Sequence, residues 1–184
     1  MPLILGIDPG SLKTGFGIID AKGSKASYIA SGIIRLPPVS LPEKLKIICD
    51  NLSEIIRTYG PAEMAVEEVF FARDPRAALK LGQARGAAIV AGVQAGLTVA
   101  EYSAKTVKQS VVGTGAASKE QVSHMVVRLL KLDAAPREDA ADALAVALCH
   151  ANSRLGAVNL ASKSTGAVTL KTRYARGRLK EIPR

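Results

Sequence analysis

Residues 3 to 8, Leu-Ile-Leu-Gly-Ile-Asp, form a near-continuous apolar run broken by Pro9-Gly10, the pattern of a central strand closed by a turn. Phe16 to Asp20 and Tyr28 to Leu36 follow, separated by the turn-prone Lys22-Gly23-Ser24, which predicts an antiparallel meander of three strands. After Pro37-Pro38 the period changes. Leu41, Leu45, Ile48, Leu52, Ile55 and Tyr59 recur at spacings of three and four, one stripe along a helix that Gly60-Pro61 ends. Met64 to Val69 reads as a strand, Asp74 opens a long Ala- and Gly-rich helical stretch to about Gln94, and Leu97 to Tyr102 is strand-like again. Ser118-Lys-Glu-Gln121 has the form of a capping box, with Val122, Met125, Val126, Leu129 and Leu130 behind it as a buried face. A last helix is expected from about Glu138 to His150. The order β-β-β-α-β-α-β-α-α, without an internal repeat or interior linker, predicts one mixed sheet with helices packed on it.

The 184 residues suit one compact domain, or one domain and a tail. With 48% hydrophobic and 22% charged residues, the composition excludes wholesale disorder and low-complexity architectures. The longest charge-free stretch, between Arg85 and Glu101, is interrupted by Gly86, Gly92, Gln94 and Gly96 and falls short of a membrane span. The amino end lacks a basic flank and a cleavage signal, so the cytoplasm is the expected location. Cys49 and Cys149 sit singly in helix-like segments, which fits reduced core thiols better than a disulfide or zinc site.

Charge alters this picture. Lys and Arg number 25 against 16 Asp and Glu, a net +9 that suits a polyanionic partner. Residues 151 to 184 carry eight Lys or Arg against Glu181 alone, so seven of those nine charges lie there. The expected organisation is therefore a domain over residues 1–151 and a basic, flexible tail over 152–184, either a solubilising extension or a nucleic-acid arm.

Four carboxylates stand out by position: Asp8, Glu67, Asp139 and Asp142. Strand alternation puts Asp8 on one face with Gly6 and Glu67 on one face with Ala65, so small residues flank both acids; the same parity prefers Glu67 to Glu68. Asp139 and Asp142 are three apart, on one side of a helix slimmed by Ala140, Ala141, Ala143 and Ala145. Singly, each has a plain structural reading: a turn at Asp8-Pro9-Gly10, a cap at Asp139 with Asp142 at N3, a solvated strand end at Glu67. Together they point to a pocket for cations, because converging carboxylates repel one another and are costly to desolvate. Hard Mg²⁺ takes oxygen ligands, and a pair of such ions can activate a water and stabilise the leaving oxygen of a phosphodiester.

Several blocks then resemble one family. Ile4-Leu-Gly-Ile-Asp-Pro-Gly-Ser11, Val66-Glu-Glu-Val-Phe70, Ala78-Leu-Lys-Leu-Gly-Gln-Ala-Arg-Gly86, Val107-Lys-Gln-Ser-Val-Val-Gly113 and Asp139-Ala-Ala-Asp-Ala-Leu-Ala145 are similar to the RuvC Holliday-junction resolvases, across positions 1 to about 150. The opening Gly-Ile-Asp-Pro-Gly is shared more widely, among RNase H-like proteins and in part with actin-like ATPases; the later blocks are the specific ones. The resemblance implies an α/β, RNase H-like fold: a mixed five-stranded sheet, three antiparallel strands then β-α-β units, with helices on both faces. It further implies a homodimer, Mg²⁺- or Mn²⁺-dependent nicking of two like-polarity strands of a four-way junction, and RuvA and RuvB as partners. Position by position, Asp8, Glu67, Asp139 and Asp142 match the family's catalytic, metal-binding carboxylates, and Phe70 matches an aromatic that stacks on a junction base. Glu68 stands where a Gln is common. No family role carries over to the basic tail.

Lys108 and Lys119 match family positions near the active cleft, where an ammonium binds phosphate and stabilises added negative charge. Lys119 also opens a capped helix, whose N-terminus favours anions. Phe70 and Phe71 with Arg73 and Arg76 place aromatic faces among cations, a mixture suited to unstacked bases and DNA backbone. The small-residue helix, with Gly82, Ala84, Gly86, Ala87 and Ala88, is the expected dimer contact. Three rival readings remain at this level: an RNA-directed RNase H-like nuclease of YqgF type, an actin-like ATPase fragment, and a non-catalytic nucleic-acid-binding module. The second needs another lobe, and the third gives no reason to gather four acids.

Overall fold

A computed structural model describes residues 2–68 and 75–163, with side chains placed through residue 156. The meander forms as the sequence pattern predicts. Strand β1 (Leu3–Asp8) pairs antiparallel with β2 (Lys13–Lys22), which pairs antiparallel with β3 (Lys25–Arg35). Helix α1 (Leu41–Tyr59) crosses to β4 (Glu63–Glu67), parallel to β1, and α2 (Pro75–Gln94) crosses to β5 (Thr98–Tyr102), parallel to β4. The sheet order is β3-β2-β1-β4-β5. Helices α3 (Ala104–Val112), α4 (Lys119–Leu130) and α5 (Glu138–Lys163) complete the described chain.

The alternation within β1 and β4 divides the core in two. Leu5, Ile7, Met64 and Val66 face α1 and α2 with Ile48, Leu52, Ala84 and Ala88. Ile4 and Ala65 face the other way, onto α5 with Leu144, Ala147 and Cys149, joined by Val107, Val122 and Val126 from α3 and α4. A fully buried Leu or Ile contributes roughly 1.5–3 kcal/mol, so both layers are held mainly by apolar burial. Helix α5 lies close to the sheet because both surfaces are pared down. A Cβ on Gly6 would overlap the Ala143 carbonyl, and one on Gly15 would overlap the Asp139 carbonyl.

Local signals account for several ends. Glu43 accepts hydrogen bonds from the Ser40 N–H (2.9 Å) and hydroxyl (2.5 Å) at the start of α1, and Gly60 closes that helix at φ 60°. At α4, the Ser118 N–H donates to Gln121 Oε1 (2.8 Å) and the Gln121 N–H to Ser118 Oγ (3.3 Å), the capping box expected there. Two helical features depart from the sequence reading. Helix α3 was absent from the predicted order: its nine residues include Thr106, Val107, Val111 and Val112, whose β-branching masks helical periodicity, and it is fixed by the Ser103 cap and by burying Val107 and Val111. Helix α5 does not end near His150 but continues to Lys163, so the first part of the segment read as tail is helical. Cys49 and Cys149 are free thiols, and among the described residues no helix is long and apolar enough to cross a membrane.

Candidate active site

The first two acids owe their proximity to parallel strand pairing. Ile7 of β1 is in register with Val66 of β4, so Asp8 and Glu67 leave adjacent strands at the same edge of the sheet. The third and fourth stand on the first turns of α5, whose Asp139 backbone touches β2 at Gly15, the partner of Asp8 across the antiparallel pair. Asp8, Glu67 and Asp142 line one cleft of about 340 Å³ together with Lys108 of α3 and Lys119 of α4; Val107, Val122 and Ala145 supply apolar wall. Asp139 stands beside this cleft rather than in its lining, 3.7 Å from Lys13 Nζ.

The charge balance is strained. Burial pushes the Asp8 carboxyl up to about 8, and the nearby Glu67, Asp142 and Asp139 push in the same direction. Glu67 is raised by burial and then by Asp142, against the opposing pull of Lys119, Lys108 and a hydrogen bond with Asp8. Asp142 is likewise raised by burial, although Lys119 counters it. Lys119 is the local counter-ion: its ammonium donates to Glu138 Oε1 at 2.7 Å and to Asp142 Oδ2 at 3.4 Å, contacts that raise its own pKa and lower that of Glu138.

Among the described residues no three His, Cys, Asp or Glu side chains form a ready-made metal cage. The donor chemistry nevertheless fits hard cations: an oxygen-only carboxylate set, partly desolvated and short of positive charge, borders a cleft with space for ions and water. This has a measurable consequence. Asp8 holds its proton more tightly folded, near 8, than unfolded, near 4, so its contribution to stability is full below about pH 4 and is lost as the pH rises through 8. In chelator, Asp8→Asn is therefore expected to match the wild type near pH 4 and to exceed it by roughly 2–4 kcal/mol near pH 9, at ~1.4 kcal/mol per pKa unit with allowance for relaxation. Millimolar Mg²⁺ should raise the wild-type melting temperature and close that gap. Melting curves with a pH-independent difference would contradict the burial of Asp8.

Other expected site residues fall out unevenly. Lys108 and Lys119 border the cleft, and Arg76 lies exposed in the first turn of α2. Phe70, Phe71 and Arg73 lie outside the described residues. Glu67, the acid that parity prefers, lines the cleft; the next residue, Glu68, also borders it, and its backbone N–H donates to the Tyr102 carbonyl (2.8 Å). Lys13 and Glu138 were missed by sequence reasoning; the one available signal was their adjacency to the Asp8 turn and to Asp139.

Comparison with known proteins agrees with this arrangement. The family model for crossover junction endodeoxyribonuclease RuvC matches residues 4–150. The RuvC of Teredinibacter turnerae is 58% identical over 183 residues, covering 97% of this chain and 99% of that one. That of Tolumonas auensis is 57% identical over 180 residues, covering 98% and 100%. Among solved structures, Thermus thermophilus RuvC in complex with Holliday junction substrate superposes with a TM-score of 0.81 at 38% identity, covering 85% of this chain and 97% of that one. Sheet order, helix placement and near full-length identity thus converge: the chain belongs to the RuvC family of crossover junction endodeoxyribonucleases, with its RNase H-like fold.

Proposed function

We propose that this protein is a structure-specific endodeoxyribonuclease that resolves four-way DNA junctions by paired nicks in two strands of like polarity, leaving 5′-phosphate and 3′-hydroxyl ends. The observation that carries this reading is the convergence of Asp8, Glu67 and Asp142, from two strands and a distant helix, on one cleft bordered by Lys108 and Lys119. Two divalent cations, Mg²⁺ or in its place Mn²⁺, would supply the Lewis acidity that activates a water and offsets charge on the leaving 3′-oxygen. Asp8, Glu67, Asp139 and Asp142 are the residues that would hold them. Asp139, 3.7 Å from Lys13 Nζ, would join from beside the cleft by exchanging Lys13 for a cation.

Lys108 and Lys119 bind phosphate oxygens next to the cut site and stabilise the negative charge that grows in the transition state. Lys119 does so by giving up its contacts with Glu138 and Asp142, the same contacts that raise its pKa. Phe70 stacks on an unpaired base, and Phe71, Arg73 and Arg76 contribute aromatic and cationic contacts to the same strand.

The active form is a homodimer, since two like-polarity strands require two sites related by the junction's own symmetry. Support comes from α2, where Ala84 and Ala88 pack inward while Leu79, Gly82, Gly86, Val90 and Val93 form an exposed stripe at spacings of three and four. Ala84 and Ala88 therefore belong to the core, and the outward residues are the dimer contact. RuvA and RuvB are the partners that would deliver junctions to it, in the cytoplasm where the chromosome lies.

Incubating the protein with synthetic four-way junctions, linear duplexes and RNA–DNA hybrids in Mg²⁺, then mapping the ends, tests the reading. Symmetric nicks confined to the junction with 5′-phosphate ends are expected. Preferential cutting of the RNA-containing substrate would replace this reading with an RNA-directed nuclease.

A further inference from the structure

Away from the acids, an ionisable cluster lies buried between β4, β5 and α5. His150 of α5 is 6% exposed and both of its ring nitrogens are engaged: Nε2 lies 2.7 Å from Glu63 Oε2, and Nδ1 lies 2.8 Å from the Tyr102 hydroxyl. The Glu63 carboxylate only accepts, so Nε2 carries the hydrogen and donates to it. In the neutral ring Nδ1 then accepts from the Tyr102 phenol, which burial helps to keep protonated. Arg154, one turn further along α5, also reaches Glu63 Oε2, from Nε at 3.2 Å.

The position of this cluster relates it to the cleft. Glu63 opens β4 and Glu67 ends it, on the same face by alternation and about 13 Å apart at ~3.3 Å per residue. Asp142 and His150 are about 12 Å apart along α5, at ~1.5 Å per residue. The two lengths match, and strand and helix run in opposite senses: His150 meets Glu63 at one end, while Asp142 shares the cleft with Glu67 at the other. Any slide of α5 along β4 therefore moves both ends together. The cleft end cannot hold itself, because Glu67 is raised by burial and then by Asp142, so the two acids repel. The His150 end is attractive. Tyr102 adds β5 to the tie, since it is the register partner of Glu67 and its carbonyl accepts the Glu68 N–H at 2.8 Å.

We propose that His150 is a positioning residue for the carboxylates of the cleft: by holding Glu63 and Tyr102 it sets the seat of α5 along β4, and with it the separation of Asp142 from Glu67. The apolar contacts of α5 with Ile4 and Ala65 carry no direction along the helix axis, whereas hydrogen bonds of 2.7 and 2.8 Å do. This rests on the reading of the cleft as a site for divalent cations and adds to it the contact, two helical turns away, that sets its width.

The test measures Mn²⁺ binding to the full-length protein without DNA, by electron paramagnetic resonance of the free ion, alongside junction binding in chelator and melting. His150→Ala and Glu63→Ala are each expected to weaken Mn²⁺ binding by about tenfold, as loss of a group that orients metal ligands commonly does, with junction affinity in chelator unchanged. The double variant should lose no more than either single one, because both remove the same tie. His150→Gln and Glu63→Gln, which can still bond across the gap, should bind Mn²⁺ within about twofold of wild type. Where His150→Ala does not fold, the half-buried Glu63 carries the same comparison through its Ala and Gln variants. Alanine variants that melt lower but bind Mn²⁺ as wild type does would reduce the cluster to a stabilising contact and overturn the proposal, as would Gln variants no better than Ala. A wild type that binds no Mn²⁺ overturns the cation reading of the cleft itself, a result distinct from either.

Discussion

Asp8→Asn is expected to abolish Mg²⁺-dependent cutting, by about 10³-fold or more, while four-way junctions are still bound. The substitution keeps the shape of the side chain and removes its negative charge. Binding depends on cations and aromatic faces, so it survives; cutting depends on oxygen donors that hold metal at the end of β1, so it fails. The fold does not suffer, because Asp8 is the most strongly shifted of the cleft acids and its charge opposes those of Glu67, Asp142 and Asp139. A more stable, binding-competent and inactive protein is therefore the expected combination. Mobility-shift binding, end-mapped cleavage and thermal melting on the same preparation read all three. Parallel loss of binding and cutting would instead make Asp8 a structural turn residue.

Gly15→Ala is expected to have the largest effect on the fold. Its added methyl would lie inside the Asp139 carbonyl and within contact of the Asp139 carbonyl carbon and the Ala140 nitrogen, all backbone atoms that no rotamer change can move aside. Helix α5 must then lift from β2 at its first turn, at a cost of about 3 kcal/mol, which lowers the melting temperature by roughly 6–12 °C in a domain of this size. The same displacement shifts Asp139 and Asp142 relative to Asp8, so residual folded protein should also cut poorly even at saturating Mg²⁺. Wild-type melting and cutting would mean that α5 does not sit against β2 at Gly15.

Much of this was legible along the chain. The turn at Pro9-Gly10 and the capping box at Ser118 are local, made by residues within four positions of one another, so sequence alone carries them. Parity within β1 and β4 likewise fixes which face Asp8 and Glu67 share, because alternation is a property of the extended backbone. Helix α3 escaped notice because its stability comes from packing Val107 and Val111 on α5, partners some forty positions away.

The residue types, the local starts and stops and the face each acid takes were thus properties of the sequence itself. Only tertiary structure decided that Lys119 pairs with Glu138 and Asp142 and that Lys13 lies 3.7 Å from Asp139 beside the cleft. The physical reason is range. Backbone geometry and capping act over a few residues, whereas charge pairing and helix seating depend on distances between segments far apart in the chain, which no local pattern encodes.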